Sequence, residues 1–538
     1  MTVVVNDGSL DSATQTVTVH VAAPAGVAGE PINLALVDPS TDHIGAVNLT
    51  IAGIPEGWSL SEGARNGDGT WTVQTNNIAA LSITSPENYT GALALNVLES
   101  WTNSDGSTGS ATVFDNVEVF AKDEPIFAVA GEDTLTGSNS NDLFVFAQPI
   151  GEDVVYNFNA ESDKIDLIGF GGIASFIDIQ TNLTEDVDGN AVINLGNGQS
   201  ITLIGVDGAL LTANNFLFDF VPVTNNTGAM TISDGAFLPL SGLINNTGAI
   251  ALDSSGNATV LQLIQDGITL DGGGQIILSD SDHNFISAAF PGVTLTNRDN
   301  TISGAGQIGD WQMILINEGT VVATGTHALT IDTGANVVIN SGILEATGSG
   351  GLVVNSDVSN SGLIWANNGN ITLAGTVTGT GGALISGGAL EFSSASSINV
   401  TFAGGNLGTL VLDNPTAFNG AIFGFSGSST EDSDFINLKG IGFDAGTLWT
   451  YYDNVGADTG GTLTIYENVQ GATTAVDSVK FGNGDYTTAS FALTGDGSGG
   501  LLIGDSTISG SGKSCWSCRR YVSLQCLAPA STANHSRV

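Results

Sequence analysis

Basic residues are few: Lys and Arg number 10 against 54 Asp and Glu in 538 residues, leaving a formal net charge of −44 at pH 7. A field of that sign repels phosphate backbones and anionic headgroups, so nucleic acid is not expected as a partner. Cysteine is nearly absent as well. Cys515, Cys518 and Cys526 all lie near the end, so disulfides cannot staple the body of the chain. The Cys515 to Cys518 spacing could hint at zinc, but with His535 as the nearest further ligand it falls short of a structural site. No stretch approaches the ~18 consecutive apolar residues of a membrane helix, so no membrane insertion is expected. Proline is sparse at 12 residues, and the 73 glycines have no three-residue period, which excludes collagen.

What is present favours strands. Thr, Val, Ile, Leu, Asn and Ser alternate in short runs broken by Gly and Asp, the pattern of short strands joined by tight turns. Hydrophobic residues make up 41%, enough to bury a core, and the length suggests several units. An all-β chain is therefore expected. The run Thr14 to Val21 reads as the end of a hairpin whose beginning is missing, so residues 1–22 are expected to be the remnant of a preceding repeat. The chain is then part of a longer protein, or is exported by a C-terminal signal, since no basic segment and apolar run open it. At the other end, Lys513, Arg519, Arg520 and Arg537 fall together, and 511–538 is expected to be a disordered tail.

Residues 23–126 alternate at the spacing of a β-sandwich, with Leu93, Leu95 and Val97 on one face of a strand. Through Ile54-Pro55-Glu56-Gly57-Trp58, Asn66-Gly67-Asp68-Gly69-Thr70-Trp71 and Pro86-Glu87-Asn88-Tyr89-Thr90-Gly91, this segment resembles the immunoglobulin-like or cadherin-like repeats of bacterial adhesins. Trp58 and Trp71 are expected in its core.

Residues 127–220 open with Gly131-Glu132-Asp133-Thr134-Leu135 and Gly137-Ser138-Asn139-Ser140-Asn141-Asp142-Leu143-Phe144. Each aspartate precedes a large apolar residue by two positions, as in the nonapeptide G-G-x-G-x-D-x-U-x. With Asp163-Lys164-Ile165-Asp166-Leu167 and Gly196-Asn197-Gly198 downstream, the segment resembles the hemolysin-type (RTX), serralysin-like C-terminal module of type I secreted proteins. That resemblance implies a β-roll and weak binding of Ca2+ by Asp133, Asp142, Gly131, Gly137 and Asn139. Ala128, Val129, Ser138 and Ser140 depart from the glycines of the repeat.

From 221 to 405 a longer period sets in. Asn225-Asn226-Thr227-Gly228-Ala229 returns as Asn245-Asn246-Thr247-Gly248-Ala249, and Asn317-Glu318-Gly319 returns as Asn340-Ser341-Gly342 and Asn360-Ser361-Gly362. Such repeats indicate a parallel β-solenoid, whose rungs bury a core only by stacking. The asparagines are expected at turns, in left-handed geometry and stacked in ladders. This segment resembles the β-helical passengers of bacterial surface proteins. Residues 406–510 echo the earlier module: Phe425 and Asp434-Phe435-Ile436-Asn437-Leu438 parallel Phe158 and Asp163-Lys164-Ile165-Asp166-Leu167, and Thr488-Ala489-Ser490-Phe491 parallels Thr212 to Phe216. A second, diverged capping module is expected there.

Chemistry finds little material. A polysaccharide lyase or epimerase on the solenoid, the alternative reading, needs cations to neutralise an acidic sugar and an imidazole or phenol to move a proton. Between Val221 and Gly510 the basic residues are Arg298, Lys439 and Lys480, with His283 and His327. The loops Asp280-Ser281-Asp282-His283-Asn284 and Asp186-Val187-Asp188-Gly189-Asn190 lack the glycine placement of a calcium loop and read as turns. The sequence thus points to a non-catalytic, secreted or cell-surface bacterial adhesin or structural protein. Its ligand would be a surface glycan or a protein.

Overall fold

The computed structural model describes residues 23–505 except 430–431, 455, 457 and 470–471, together with 2–3 and 15–16. The tail expected at 511–538, with its cysteines, lies outside the described residues, as does most of 1–22. Among the described residues the chain is all-β, with one short α-helix, Phe176–Asn182.

The chain winds into a parallel β-solenoid of about 14 turns with additional sheets. A full turn of the long region supplies one strand to each of three parallel columns. Thr294–Asn297, Thr301–Gly304 and Gly306–Ile308 make one turn, and Ile314–Asn317, Thr320–Ala323 and Leu329–Ile331 stack on it in register. The alternation seen in the sequence explains the stacking. In one column Ile302, Val321, Leu344, Ile364, Ala383, Val400 and Ile422 point inward, each beside its neighbour in the next turn, and all are buried. Each Val, Leu or Ile removed from water contributes about 1.5–3 kcal/mol, and one rung carries only a handful, so rungs hold only as a stack.

The repeating asparagines end the strands of one column and form a buried ladder. Asn297 Nδ2 donates to Asn317 Oδ1 at 2.9 Å, Asn317 to Asn340 at 2.8 Å and Asn340 to Asn360 at 2.7 Å. Asn226, Asn246 and Asn300 extend it at 2.8 Å per step, and Asn300 N donates to Asn297 Oδ1. The expected left-handed geometry is absent from this ladder. Positive φ occurs instead at Asn157, Asn197 and Asn368, because the ladder asparagines belong to the strands and their side chains, not their backbones, span the turns.

The sandwich strands His43–Ala52, Trp71–Thr75, Thr90–Asn103 and Thr108–Phe120 enclose a separate core containing Ile51, Val73, Leu95, Val97 and Trp58, which meets Tyr89 edge-on at 4.8 Å. Trp71 is only half-buried. These strands are nonetheless continuous with the coil. Thr90–Ala92 runs parallel to Met230–Ile232, and Glu118–Phe120 parallel to Ala25–Val27. Gly91 makes the first junction possible: at φ 131°, its Cβ would stand 1.9 Å from the Thr231 carbonyl oxygen.

Next to this junction lies a two-sheet parallel roll. Ile126–Ala128, Leu143–Ala147, Lys164–Ile168 and Phe216–Phe218 form one sheet. Ala23–Val27, Asp133–Thr136, Glu152–Tyr156 and Gln199–Leu203 form the other. The second is extended by the antiparallel strands Ala191–Gly196 and Leu183–Glu185. The same construction recurs at the far end, where Ala421–Phe423 pairs in parallel with Ala472–Phe481, followed by the antiparallel strands Gly461–Val469 and Leu448–Asp453. A short 3-10 helix with a capping box then leads into the closing strand in both places, Thr212 to Phe216 and Thr487 to Phe491.

Candidate functional site

The roll is organised by aspartates that precede its strands. Asp133 Oδ2 accepts from Val129 N at 2.7 Å, Asp142 Oδ2 from Ser138 N at 2.6 Å, and Asp163 Oδ2 from Asn159 N at 2.8 Å. Each carboxylate thereby closes its own turn. Between turns, Asp133 N donates to Asp153 Oδ1 at 3.0 Å and Asp142 N to Asp163 Oδ1 at 3.1 Å, while Asp153 Oδ2 is buried without a hydrogen-bond partner. Two columns result, one pairing Asp133 with Asp153 and the other pairing Asp142 with Asp163. Asp133 and Asp142 themselves stand on different sheets and are not brought together.

The remaining residues expected at a calcium site are scattered. Gly131 adopts φ 135° at an exposed turn. Gly137 sits under the Asp142 carboxylate, where a Cβ would come 3.1 Å from Oδ2 and 3.0 Å from the Phe144 ring. Asn139 is exposed, with its Nδ2 3.5 Å from Glu30 Oε2 rather than at either aspartate. Calcium takes six to eight oxygens at 2.3–2.6 Å. Here Asp133 Oδ2 accepts from Val129 N, and both Asp142 oxygens are engaged by Ser138, through N and through Oγ at 2.9 Å. Among the described residues no group of three or more His, Cys, Asp and Glu is arranged to hold a metal. The five residues named by the repeat do not converge on one point.

Burial dominates the electrostatics of this region. It pushes the Asp133 and Asp153 carboxyls up, with the Asp133 charge adding to the effect on Asp153. Glu118, fully enclosed on the far side of Ala23–Val27, is raised by burial and then by the charge of Asp133. Asp153 and Asp163 were missed as partners in the sequence because no glycine-rich turn precedes them; the one available signal was a spacing of 20 and 21 residues from Asp133 and Asp142.

Two of the three basic residues between 221 and 505 meet carboxylates, while Lys480 stands exposed on Ala472–Phe481. Arg298 Nη1 lies 2.6 Å from Asp271 Oδ2, and Lys439 reaches both Glu391 and Asp413. His283 pairs with Asp282 at 2.6 Å and His327 with Asp280 at 3.2 Å. Asp280 closes a turn by accepting from Thr326 N and His327 N, and Asp186 does likewise for Asp188 N and Asn190 N.

A cleft of about 730 Å3 opens between roll and solenoid. Gln148, Pro149 and Ile150 of the roll and the hairpin residues Asn197 and Gln199 form one wall; Gln265, Asp266 and Phe290 to Thr294 form the other. No sequence motif marks it, since four separate segments contribute.

No family model, no curated protein and no solved structure matches this chain. Among the described residues, no helix is long and apolar enough to cross a membrane.

Proposed function

We propose that the chain is a non-catalytic structural and adhesive protein of the bacterial exterior, a stiff β-coil that presents its long faces to a surface glycan or protein. The observation that carries this reading is the pairing of Arg298 and Lys439 with carboxylates, which leaves neither free to neutralise an acidic sugar beside a proton-transfer group. The net charge of −44 supports solubility outside the cell and disfavours phosphate-bearing partners. The aspartates of the roll act here as turn clamps, and calcium has no part in the proposal. Incubation with alginate and pectate tests it: both polymers are expected to stay intact, and the appearance of unsaturated or epimerised uronate would overturn it. Surface labelling of the intact source cells with an antibody tests the location, and signal only after lysis would contradict it.

A further inference from the structure

The cleft between roll and solenoid brings polar side chains of unrelated segments together. Four amide side chains line it: Gln148, Asn197, Gln199 and Gln265. The Gln199 carbonyl oxygen is held by Ile150 N at 2.8 Å, so its NH2 is left to donate. Gln265 Oε1 is buried without a hydrogen-bond partner. Asp266 stands beside it with φ 71°, a left-handed backbone that Asp accepts more readily than most residues. Phe290, Pro149 and Pro291 supply apolar surface.

One turn beyond, Gly292 N donates to Gln312 O, so the backbone of Trp311 runs beside that of the lining residue Pro291. Trp311 is 72% exposed and also left-handed, at φ 72°. A large aromatic held outward by a strained backbone gains nothing from packing there.

Amides both donate and accept, and so match the paired hydrogen bonds of sugar hydroxyls, while aromatic faces cover the apolar side of a sugar ring. No Lys, Arg or His lines the cleft, and its one charged group is a carboxylate, which disfavours acidic ligands. The volume falls in the ordinary range of ligand sites. From this geometry we infer that the cleft binds a neutral polysaccharide chain, with Trp311 as a stacking platform at its entrance. The inference rests on the adhesive reading above and names its ligand class.

Affinity electrophoresis of the full chain in native gels tests it, with dextran, galactomannan or mixed-linkage β-glucan as the neutral probe and alginate as the charged one. Retardation is expected on at least one neutral gel, weakened at least about tenfold by Trp311→Ala and by Asn197→Asp. Both positions are exposed, and if one variant melts early the other carries the test. Retardation on no gel, on alginate alone, or undiminished in a folded variant overturns the inference. Sizing the recovered polymer separates the two readings: intact polymer without retardation removes only the cleft, whereas shortened polymer removes the non-catalytic reading as well.

Discussion

Asp163 and Asp434 do the same work at the two ends of the coil. Asp163 accepts from Asn159 N in its own turn and from Asp142 N in the preceding one; Asp434 accepts from Ser426 N and from Gly408 N, each at 3.0 Å. The buried rings of Phe158 and Phe425 immediately precede the clamped turns. Each carboxylate is thus a rivet between successive turns where the core closes.

Asp163→Asn and Asp434→Asn should both destabilise, because an amide offers one acceptor oxygen where two N–H groups, one of them in a buried bond, need two. An unsatisfied buried donor costs about 1–3 kcal/mol. Hydrogen exchange should show the loss locally, at the amides of Asn159 and Asp142 in the first variant and of Ser426 and Gly408 in the second. Unchanged protection at those amides would refute the rivet.

Replacing Asn317 with Leu breaks the ladder in its middle. The Asn340 carbonyl oxygen and the Asn297 amide each lose a buried partner, so a loss of about 2–4 kcal/mol is expected. Urea unfolding measures it, and a midpoint equal to that of the parent chain would show that the ladder is ornamental.

Two glycines in the same repeat should respond differently to alanine. At Gly248 a Cβ would meet the Gly228 carbonyl oxygen at 2.0 Å, because a turn lies beneath it. At Gly228 nothing lies within 4 Å. Gly228→Ala should therefore leave the melting temperature nearly unchanged, and Gly248→Ala should lower it markedly. Equal effects would mean that the turns are not stacked in this register.

Stability should depend on pH in a definite direction. Burial, followed by the charge of Asp38, pushes Glu99 to about 7; burial raises Asp115 and Glu118 well above the usual range and takes Asp434 to about 6. For such groups folded and unfolded chains both hold the proton at low pH, and folding becomes less favourable as pH rises through the folded values. The exposed turn aspartates behave oppositely. Asp280, held low by the amide of His327, and Asp186, held low by Asn190, contribute stability that is lost as pH falls through their depressed values. The melting temperature should peak near pH ~5 and fall toward pH ~9. A melting temperature that climbs steadily from pH ~5 to ~9 would be incompatible with these buried acids.

The sequence announces some of this architecture and hides the rest. The asparagine steps of 20 and 23 residues are legible because a ladder demands the same side chain at every rung. The continuity of sandwich and coil is not, since the contact of Gly91 with Thr231 depends on segments far apart in the chain. Asp133 and Asp142 stand out as a nonapeptide pair, yet spacing along the chain does not reveal that alternate strands enter opposite sheets and separate them. Trp311 carries no motif either; only its exposed, left-handed setting marks it.

The account rests on hydrogen-bonded clamps and ladders, rather than a bound ion, holding the coil together. Thermal unfolding of the full chain in millimolar calcium and in excess chelator tests that most directly. The melting temperature should be the same in both, because Asp142 and Asp163 already engage both carboxylate oxygens within the roll. A site occupied at a hundred times its dissociation constant would add about 2.7 kcal/mol, so a clear rise in calcium, abolished by Asp133→Asn or Asp142→Asn, would contradict the account.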